Sequence, residues 1–152
     1  MKRFRFSLEA VAIIRHHEEE QARQKFAAAT RTHREGLDHL DRLEHELETV
    51  MAERRSSTPR HAADFRQLQE WQSLLQQKVE QQARVVQKLA QAVDQANQEL
   101  RNARQRREAV EKIRSHRLAH HEQEQLKVEQ KMLDDLANRS GLARGLLNET
   151  GL

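Results

Sequence analysis

The residues best suited to metal chemistry lie between positions 116 and 124. His116 and His120 are followed by Glu124, each one helical turn after the last, so that the three side chains would share one face of a helix. This spacing can chelate a divalent ion. Since no further strong ligand or enclosing fold is evident, we interpret the pattern as a polar helix surface and expect no metal or cofactor.

Catalytic motifs of other kinds are missing from the sequence. The chain has no cysteine, which rules out a thiolate catalyst, a disulfide framework or a cysteine-based zinc site. There is no glycine-rich phosphate loop and no nucleophile beside a base. We therefore expect neither an enzyme nor a site for a small-molecule substrate.

The densest group of like charges lies between positions 101 and 117. Only Glu108 and Glu111 oppose it. Two interpretations stay open: a patch that binds an acidic partner surface or phosphates, or the charged exterior of a helix. The basic members of this arginine-rich segment are Arg101, Arg104, Arg106, Arg107, Lys112, Arg114 and Arg117.

The composition indicates the kind of fold that must position these groups. Of 152 residues, 36% are hydrophobic, 34% charged and 3% aromatic, whereas globular domains are about 45–50% apolar and about 25% charged. With four glycines and one proline there are few places for the chain to turn. We expect one elongated all-α body. Its 27 basic and 24 acidic residues are interspersed, which is typical of solvated helix faces and does not favour a dedicated nucleic-acid surface.

A heptad repeat organises the second half of the chain. From Phe65 to Val110, positions at alternating steps of three and four are mostly apolar, which is typical of a coiled-coil seam. Trp71 falls just beside this seam, where it either widens the seam or contacts a partner. The apolar seam residues are Phe65, Leu68, Leu75, Val79, Val86, Leu89, Val93, Ala96, Leu100, Ala103 and Val110.

A second seam runs through the first half of the chain and is strongest at Leu40, Leu43, Leu47 and Val50. The sequence predicts helix one over about 7–55, capped by the hydroxyl of Ser7, and a turn over 56–59. Helix two is predicted over about 59–138, with Pro59 in its first turn and Thr58 as its cap. Residues 139–152 are expected to be a frayed tail, with Gly141 as a C-cap.

Two seams in one chain favour an antiparallel coiled-coil hairpin. If Val50 faces Phe65, then Leu8 lies opposite about Arg107. Helix two would extend beyond helix one, and its residues 111–137 would carry an apolar stripe that nothing in the chain covers. We expect that stripe, with the neighbouring arginines, to bind a partner. The stripe residues are Leu118, Val128, Met132 and Leu136.

The sequence predicts neither a signal peptide nor a membrane-spanning segment. The basic N-terminus lacks the continuous apolar run of a signal peptide, and no stretch of about eighteen consecutive apolar residues could span a bilayer. Together with the absence of cysteine, this fits a cytosolic protein.

Two short motifs lie near the ends of the chain: residues 4–11 read FRFSLEAV, and residues 129–137 read EQKMLDDLA. They resemble the opening and the C-terminal signature of the FliJ family of flagellar export proteins. The basic stretch 111–114, EKIR, precedes that signature. Where the family often has an aromatic residue before the signature, this sequence has His120 and His121.

The resemblance implies a non-enzymatic, cytoplasmic component of the flagellar type III export apparatus, associated with the inner membrane through that apparatus and needed for motility. It implies a two-helix stalk whose terminal end enters the hexameric export ATPase. It also implies contact between the hairpin side and the cytoplasmic domain of the export-gate membrane protein, and the escort of export chaperones.

Two other interpretations of the sequence stay open. One is a coiled coil that binds nucleic acid or ribosomes through the arginine-rich segment, for which binding to any duplex would depend steeply on salt. The other is a parallel dimer in which the break at 56–59 is a kink instead of a turn.

Overall fold

The structure, a computed structural model, describes residues 3–56 and 62–149, with side chains described as far as residue 141. It contains two α-helices, α1 (Glu9–Ser56, 48 residues) and α2 (Ala62–Glu149, 88 residues). No strand occurs in the described ranges. The two helices pack against each other, which confirms the predicted all-α helical hairpin. Within these ranges no helix is long and apolar enough to cross a membrane.

The helices run antiparallel. Near the connection, Arg54 Nη1 donates a hydrogen bond to Gln72 Oε1 (2.8 Å). Farther back along α1, Gln82 Nε2 donates one to the carbonyl oxygen of Gly36 (3.0 Å). Residues that lie earlier in α1 therefore contact residues that lie later in α2.

The pairing register differs from the prediction by about one heptad. With Val50 opposite Phe65, Gly36 would lie opposite Val79, whereas a Cβ placed on Gly36 lies 3.5 Å from Val86 Cγ2, seven residues farther along α2. Near the connection, Arg54 contacts the Phe65 ring, with 5.2 Å between the guanidinium carbon and the ring centroid. A seven-residue shift leaves apolar positions facing apolar positions, so the heptad pattern does not distinguish the two registers.

Gly36 lies at a close approach of α1 to α2. A Cβ placed on Gly36 would lie 2.9 Å from Leu89 Cδ1 and 3.5 Å from Val86 Cγ2, and the first of these distances is too short for two carbon atoms. A larger residue would require Leu89 to move or the helices to separate at this point. Glycine, although unfavourable in a helix by about 1 kcal/mol relative to alanine, is therefore compatible with the observed packing.

The buried residues of both helices follow the two predicted seams. Leu75 is fully buried, and it is joined on α2 by Val86, Ala96, Ala103 and Val110. The other seam members in the described chain are buried or half-buried, with one exception. That exception is Phe65, which is exposed because it lies in the first turn of α2 beside Arg54. The buried residues of α1 are Glu19, Ala22, Gly36 and Val50.

The helix ends differ from the sequence-based expectations. At the start of α1, the amide of Glu9 donates to the carbonyl of Phe6 (3.2 Å), while the Ser7 hydroxyl accepts a hydrogen bond from Arg117. The expected stop at Gly141 is wrong, because α2 continues to Glu149 and no described glycine has positive φ. The predicted cap at Thr58 and first turn at Pro59 lie outside the described residues.

The chain divides into two compact units. The first consists of Met1–Arg15 together with Arg106–Leu152, and the second of His16–Gln105. Each unit carries a candidate binding surface of its own. The single elongated domain expected from the sequence stays a prediction.

Candidate protein-binding surfaces

In the first unit, an N-terminal clamp holds the residues before α1 against α2. We define this clamp as residues 4–9 with Arg114, Arg117 and His121. Its centre is Phe6, which is buried between two guanidinium groups, those of Arg114 and Arg117, each 5.8 Å from the ring centroid. Arginine over an aromatic face combines stacking with cation–π attraction, worth about 0.5–1 kcal/mol at exposed sites.

Polar contacts and a second ring pair complete the clamp. Arg117 Nη1 donates a hydrogen bond of 2.6 Å to Ser7 Oγ, and Arg114 Nη2 lies 3.5 Å from Glu9 Oε2. The ring of His121 meets that of Phe4 edge-on, with centroids 5.5 Å apart.

Because of the clamp, the part of α2 that no N-terminal residue covers begins later in the sequence than predicted. We predicted that cover by the first helix would end near Arg107. Instead, the position opposite Leu8 lies between Arg114 and Arg117, and contacts with the N-terminal residues extend to His121. The prediction that the uncovered part begins at residue 111 is therefore wrong. The difference follows from the one-heptad register shift and from the Phe4–Ser7 segment, which packs on α2 without being helical.

Three arginines of the arginine-rich segment make contacts within the chain that bear on its fold. Besides Arg114 and Arg117, Arg107 makes contacts within the chain, with Nη1 lying 2.9 Å from Glu111 Oε2. In this unit Arg106 and Lys112 are exposed, and in the second unit so are Arg101 and Arg104. The guanidinium groups of Arg107, Arg114 and Arg117 thus contribute to the fold of the chain itself.

The C-terminal part of α2 presents apolar side chains to solvent. Every residue from Leu126 to Gly141 is exposed, and we call this stretch the exposed segment. The predicted stripe residues Val128, Met132 and Leu136 are exposed here, and Leu118 is exposed farther upstream. Leu126 and Leu133 add apolar area that the sequence prediction omitted. The C-terminal stripe is therefore defined as Leu126, Val128, Met132, Leu133 and Leu136, each more than half exposed.

Polar groups that lie beside this stripe pair with each other. Lys127 Nζ donates a hydrogen bond of 3.0 Å to Glu124 Oε1, and this bond and the lysine charge lower the pKa of the Glu124 carboxyl. Glu124, the third candidate ligand after His116 and His120, is thus engaged by a cation. Within the described part of the chain, no three His, Cys, Asp or Glu side chains form a potential metal site.

In the second unit, a groove opens beside Trp71. It has a volume of about 560 Å³, and the indole is 39% exposed. Lys78 Nζ lies 5.6 Å from the centroid of the Trp71 ring. We call this the Trp71 groove; it is lined by Glu53, Asp64, Gln67, Leu68, Glu70, Trp71 and Leu74.

Comparison with known families gives a match that includes both ends of the described chain. The chain matches the family model "FliJ: Flagellar FliJ protein" over residues 4–146. The chain belongs to the FliJ family. The match covers nearly the whole chain, from Phe4 of the N-terminal clamp to beyond the exposed segment. No curated protein and no solved structure matches this chain.

Membership of the FliJ family, a family of non-enzymatic export components, makes the protein a component of the flagellar export apparatus. Of the residues that the sequence singled out, Arg114 and Arg117 converge on Phe6. Val128, Met132 and Leu136 line the C-terminal stripe. The clamp itself was not predicted, although the Phe-x-Phe pattern before α1 was a possible signal for it.

Proposed function

We propose that the protein is a stalk-like coiled coil of the export apparatus, and that its exposed segment engages the ring of the export ATPase. In the same proposal, the hairpin side touches the cytoplasmic domain of the export-gate membrane protein and the protein escorts export chaperones. These contacts would hold it on the cytoplasmic face of the inner membrane. They agree with what its family membership implies.

The observation that carries the proposal is the exposed segment. Five large apolar side chains of one helix face water there, each more than half exposed. Fully burying such a side chain is worth about 1.5–3 kcal/mol, so the remaining burial would contribute roughly 1–2 kcal/mol each. An amphipathic helix of this kind gains most by laying its apolar face into a groove of another protein.

The width of the stripe favours a partner that surrounds part of the helix. At 100° per residue, Leu126 and Val128 lie on opposite flanks of the stripe, with Leu136 between them. The stripe thus covers about half of the helix circumference, wider than the narrow seam that a single partner helix would cover. A ring lumen or a deep groove would accommodate it.

Nucleic-acid binding through the arginine-rich segment has less support. Arg107, Arg114 and Arg117 contact Glu111, Phe6 and Ser7 of the same chain, so phosphate contacts would have to share those groups. A steep loss of duplex binding with rising salt would be the signature of that alternative.

The proposal is tested by capture of partners from the source cell. Full-length tagged protein should retain the export ATPase, and the double variant Met132→Asp/Leu136→Asp should not, because carboxylates would have to be buried in an apolar contact. The matched control Lys131→Asp changes an exposed residue on the opposite side of the segment and should retain the ATPase. Equal retention by the double variant would refute the assignment of the surface.

A further inference from the structure

The C-terminal stripe contains two charged residues among its apolar side chains. At 100° per residue, Glu129 lies near the middle of the stripe, and Arg139 lies on the same flank as Val128. Both are exposed. Within the described residues, the ion pair of this segment joins Lys127 to Glu124, whereas Glu129 and Arg139 form none. A partner that covers the stripe must therefore offer a cation to Glu129 and an anion to Arg139, because burying an unpaired charge is costly.

The spacing of these two charges makes the stripe complementary to itself. Glu129 and Arg139 are about 15 Å apart along α2. In a pair with two-fold symmetry, each contact between two different residues occurs twice. A second copy that runs antiparallel, with its Arg139 opposite Glu129, therefore also places its Glu129 opposite Arg139. A parallel pair would instead place like charges opposite each other.

The same alignment also brings apolar side chains together. When Glu129 lies opposite Arg139 of the second copy, Met132 lies opposite Leu136 of that copy. Leu133 then lies at a level between Leu136 and Met132 of the second copy. These three side chains are 60%, 66% and 61% exposed in the single chain, in the order Met132, Leu133, Leu136. Both copies together would form an apolar layer with an ion pair at each end.

The size of this contact indicates a weak association. From Leu126 to Arg139 the stripe extends about 20 Å along one helix, and one helix face of that length buries less than the about 800 Å² per partner of a standard specific interface. We expect a dimer Kd of about 10–100 µM. A partner that buries more of the stripe would displace the second copy.

We propose that the exposed segments of two copies of this chain pair antiparallel through the C-terminal stripe, with Glu129 of each copy opposite Arg139 of the other. Each copy then covers the stripe of the other. The regulatory consequence rests on the proposed function: the surface that engages the export ATPase is hidden in the pair, so engagement requires the copies to separate. The pairing itself concerns this chain alone and is tested without the ATPase.

Sedimentation of the full-length protein measures the pairing directly. The weight-average mass should rise from that of one chain at about 1 µM toward that of two chains at about 500 µM, as expected for the Kd given above. Added salt should weaken the association, because the two ion pairs are near solvent.

Charge exchange tests the antiparallel alignment. Glu129→Arg and Arg139→Glu, each alone, should raise the dimer Kd about tenfold or more, because two ion pairs become two repulsions. The chain with both changes restores opposite charges and should have a Kd within about threefold of the wild-type value. An equimolar mixture of the two single variants should likewise form a mixed dimer.

Lys131→Glu is the matched control for Arg139→Glu. It makes the same change of charge, at an exposed residue on the opposite side of the segment, and should leave the dimer Kd unchanged. All three positions are exposed, so circular dichroism of dilute protein should show the wild-type melting temperature for every variant.

Energy transfer between copies tests whether pairing hides the stripe from the ATPase. The chain has no cysteine, so Lys131→Cys provides a single site for a donor or an acceptor dye. Above the dimer Kd, mixed donor and acceptor copies should show energy transfer, and added export ATPase should abolish it. Energy transfer that persists while the ATPase is captured would overturn the masking. Pairing without any capture of the ATPase would contradict the proposed function and support the pairing alone.

Three results of the sedimentation series would overturn the pairing itself. The mass could remain that of one chain at the highest concentration. The single variants Glu129→Arg and Arg139→Glu could associate as strongly as the wild type, as a parallel pair would. The control Lys131→Glu could weaken association as much as Arg139→Glu does.

Discussion

Two adjacent leucines offer a sharp test of the packing between α1 and α2. Leu75 is fully buried (0% exposed), whereas Leu74 is 42% exposed. They differ by one residue in the sequence and by 100° around the helix, so Leu75 faces α1 and Leu74 faces the Trp71 groove. Replacing each by alanine removes the same atoms from two different environments.

The expected losses of stability differ severalfold. Leu→Ala in a core typically costs about 2.7–5 kcal/mol, through lost burial and the cavity left behind, and we expect about 3 kcal/mol for Leu75→Ala because a two-helix interface can partly collapse. At Leu74 no closed cavity forms, and only part of the side chain was buried, so we expect about 1 kcal/mol or less. For a chain of this size, about 3 kcal/mol lowers the Tm by roughly 6–12 °C.

Thermal and urea unfolding followed by far-ultraviolet circular dichroism measure both variants in one experiment. Wild-type helicity before the transition would show that each variant has folded. Equal destabilisation by the two substitutions, or a larger effect at Leu74, would refute the assignment of the buried face of α2.

The remaining predictions concern the close approach, the antiparallel pairing and the clamp. Gly36→Leu should lower the free energy of unfolding by about 1–3 kcal/mol through overpacking against Leu89, whereas Gly141→Leu, where nothing lies within 4 Å, should not lower it; equal effects in a urea titration would contradict the close approach. Cysteines at Gly36 and Val86, in a chain that otherwise has none, should form an intrachain disulfide on oxidation, because a Cβ on Gly36 would lie 3.5 Å from Val86 Cγ2, which brings the two side chains within reach of each other; purely interchain products on a non-reducing gel would favour a parallel dimer. Phe6→Ala should speed amide hydrogen exchange in residues 7–12 by loosening the clamp, while Ile13→Ala at an exposed site should leave it unchanged.

The seams could be predicted because burial in a coiled coil follows a period of 3.5 residues. Leu40, Leu43, Leu47 and Val50 are read directly from that period. The C-terminal stripe of α2 is likewise a local property of the sequence, because the spacing of Val128, Met132 and Leu136 already predicts it.

The register was not predictable from the same pattern. A shift by one heptad preserves the matching of apolar positions, and the sequence alone does not give the length of the connection between the helices. Particular contacts distinguish one register from the next: the Gly36 close approach, the hydrogen bond from Gln82 to the Gly36 carbonyl and the contact of Arg54 with Phe65.

The clamp depends on contacts that are distant in sequence. Phe6 contacts Arg114 and Arg117, which lie more than one hundred residues later in the sequence. The spacing of apolar residues does not predict such a contact. Two of the arginines that we predicted as part of a binding patch, Arg114 and Arg117, contact the N-terminal residues. The Trp71 groove was missed in part for the same reason, since Glu53 and Trp71 come from different helices.

The central claim, that the exposed segment engages the export ATPase, is tested most directly by steady-state ATP hydrolysis. The ATPase is assayed alone, with the full-length protein, and with a chain that ends at Gln125 and so retains the described clamp contacts. Circular dichroism checks that the shortened chain keeps the helical hairpin. The account predicts stimulation by the full-length protein and none by the shortened chain. Full stimulation by the shortened chain would contradict it and would place the engaging surface elsewhere on the protein.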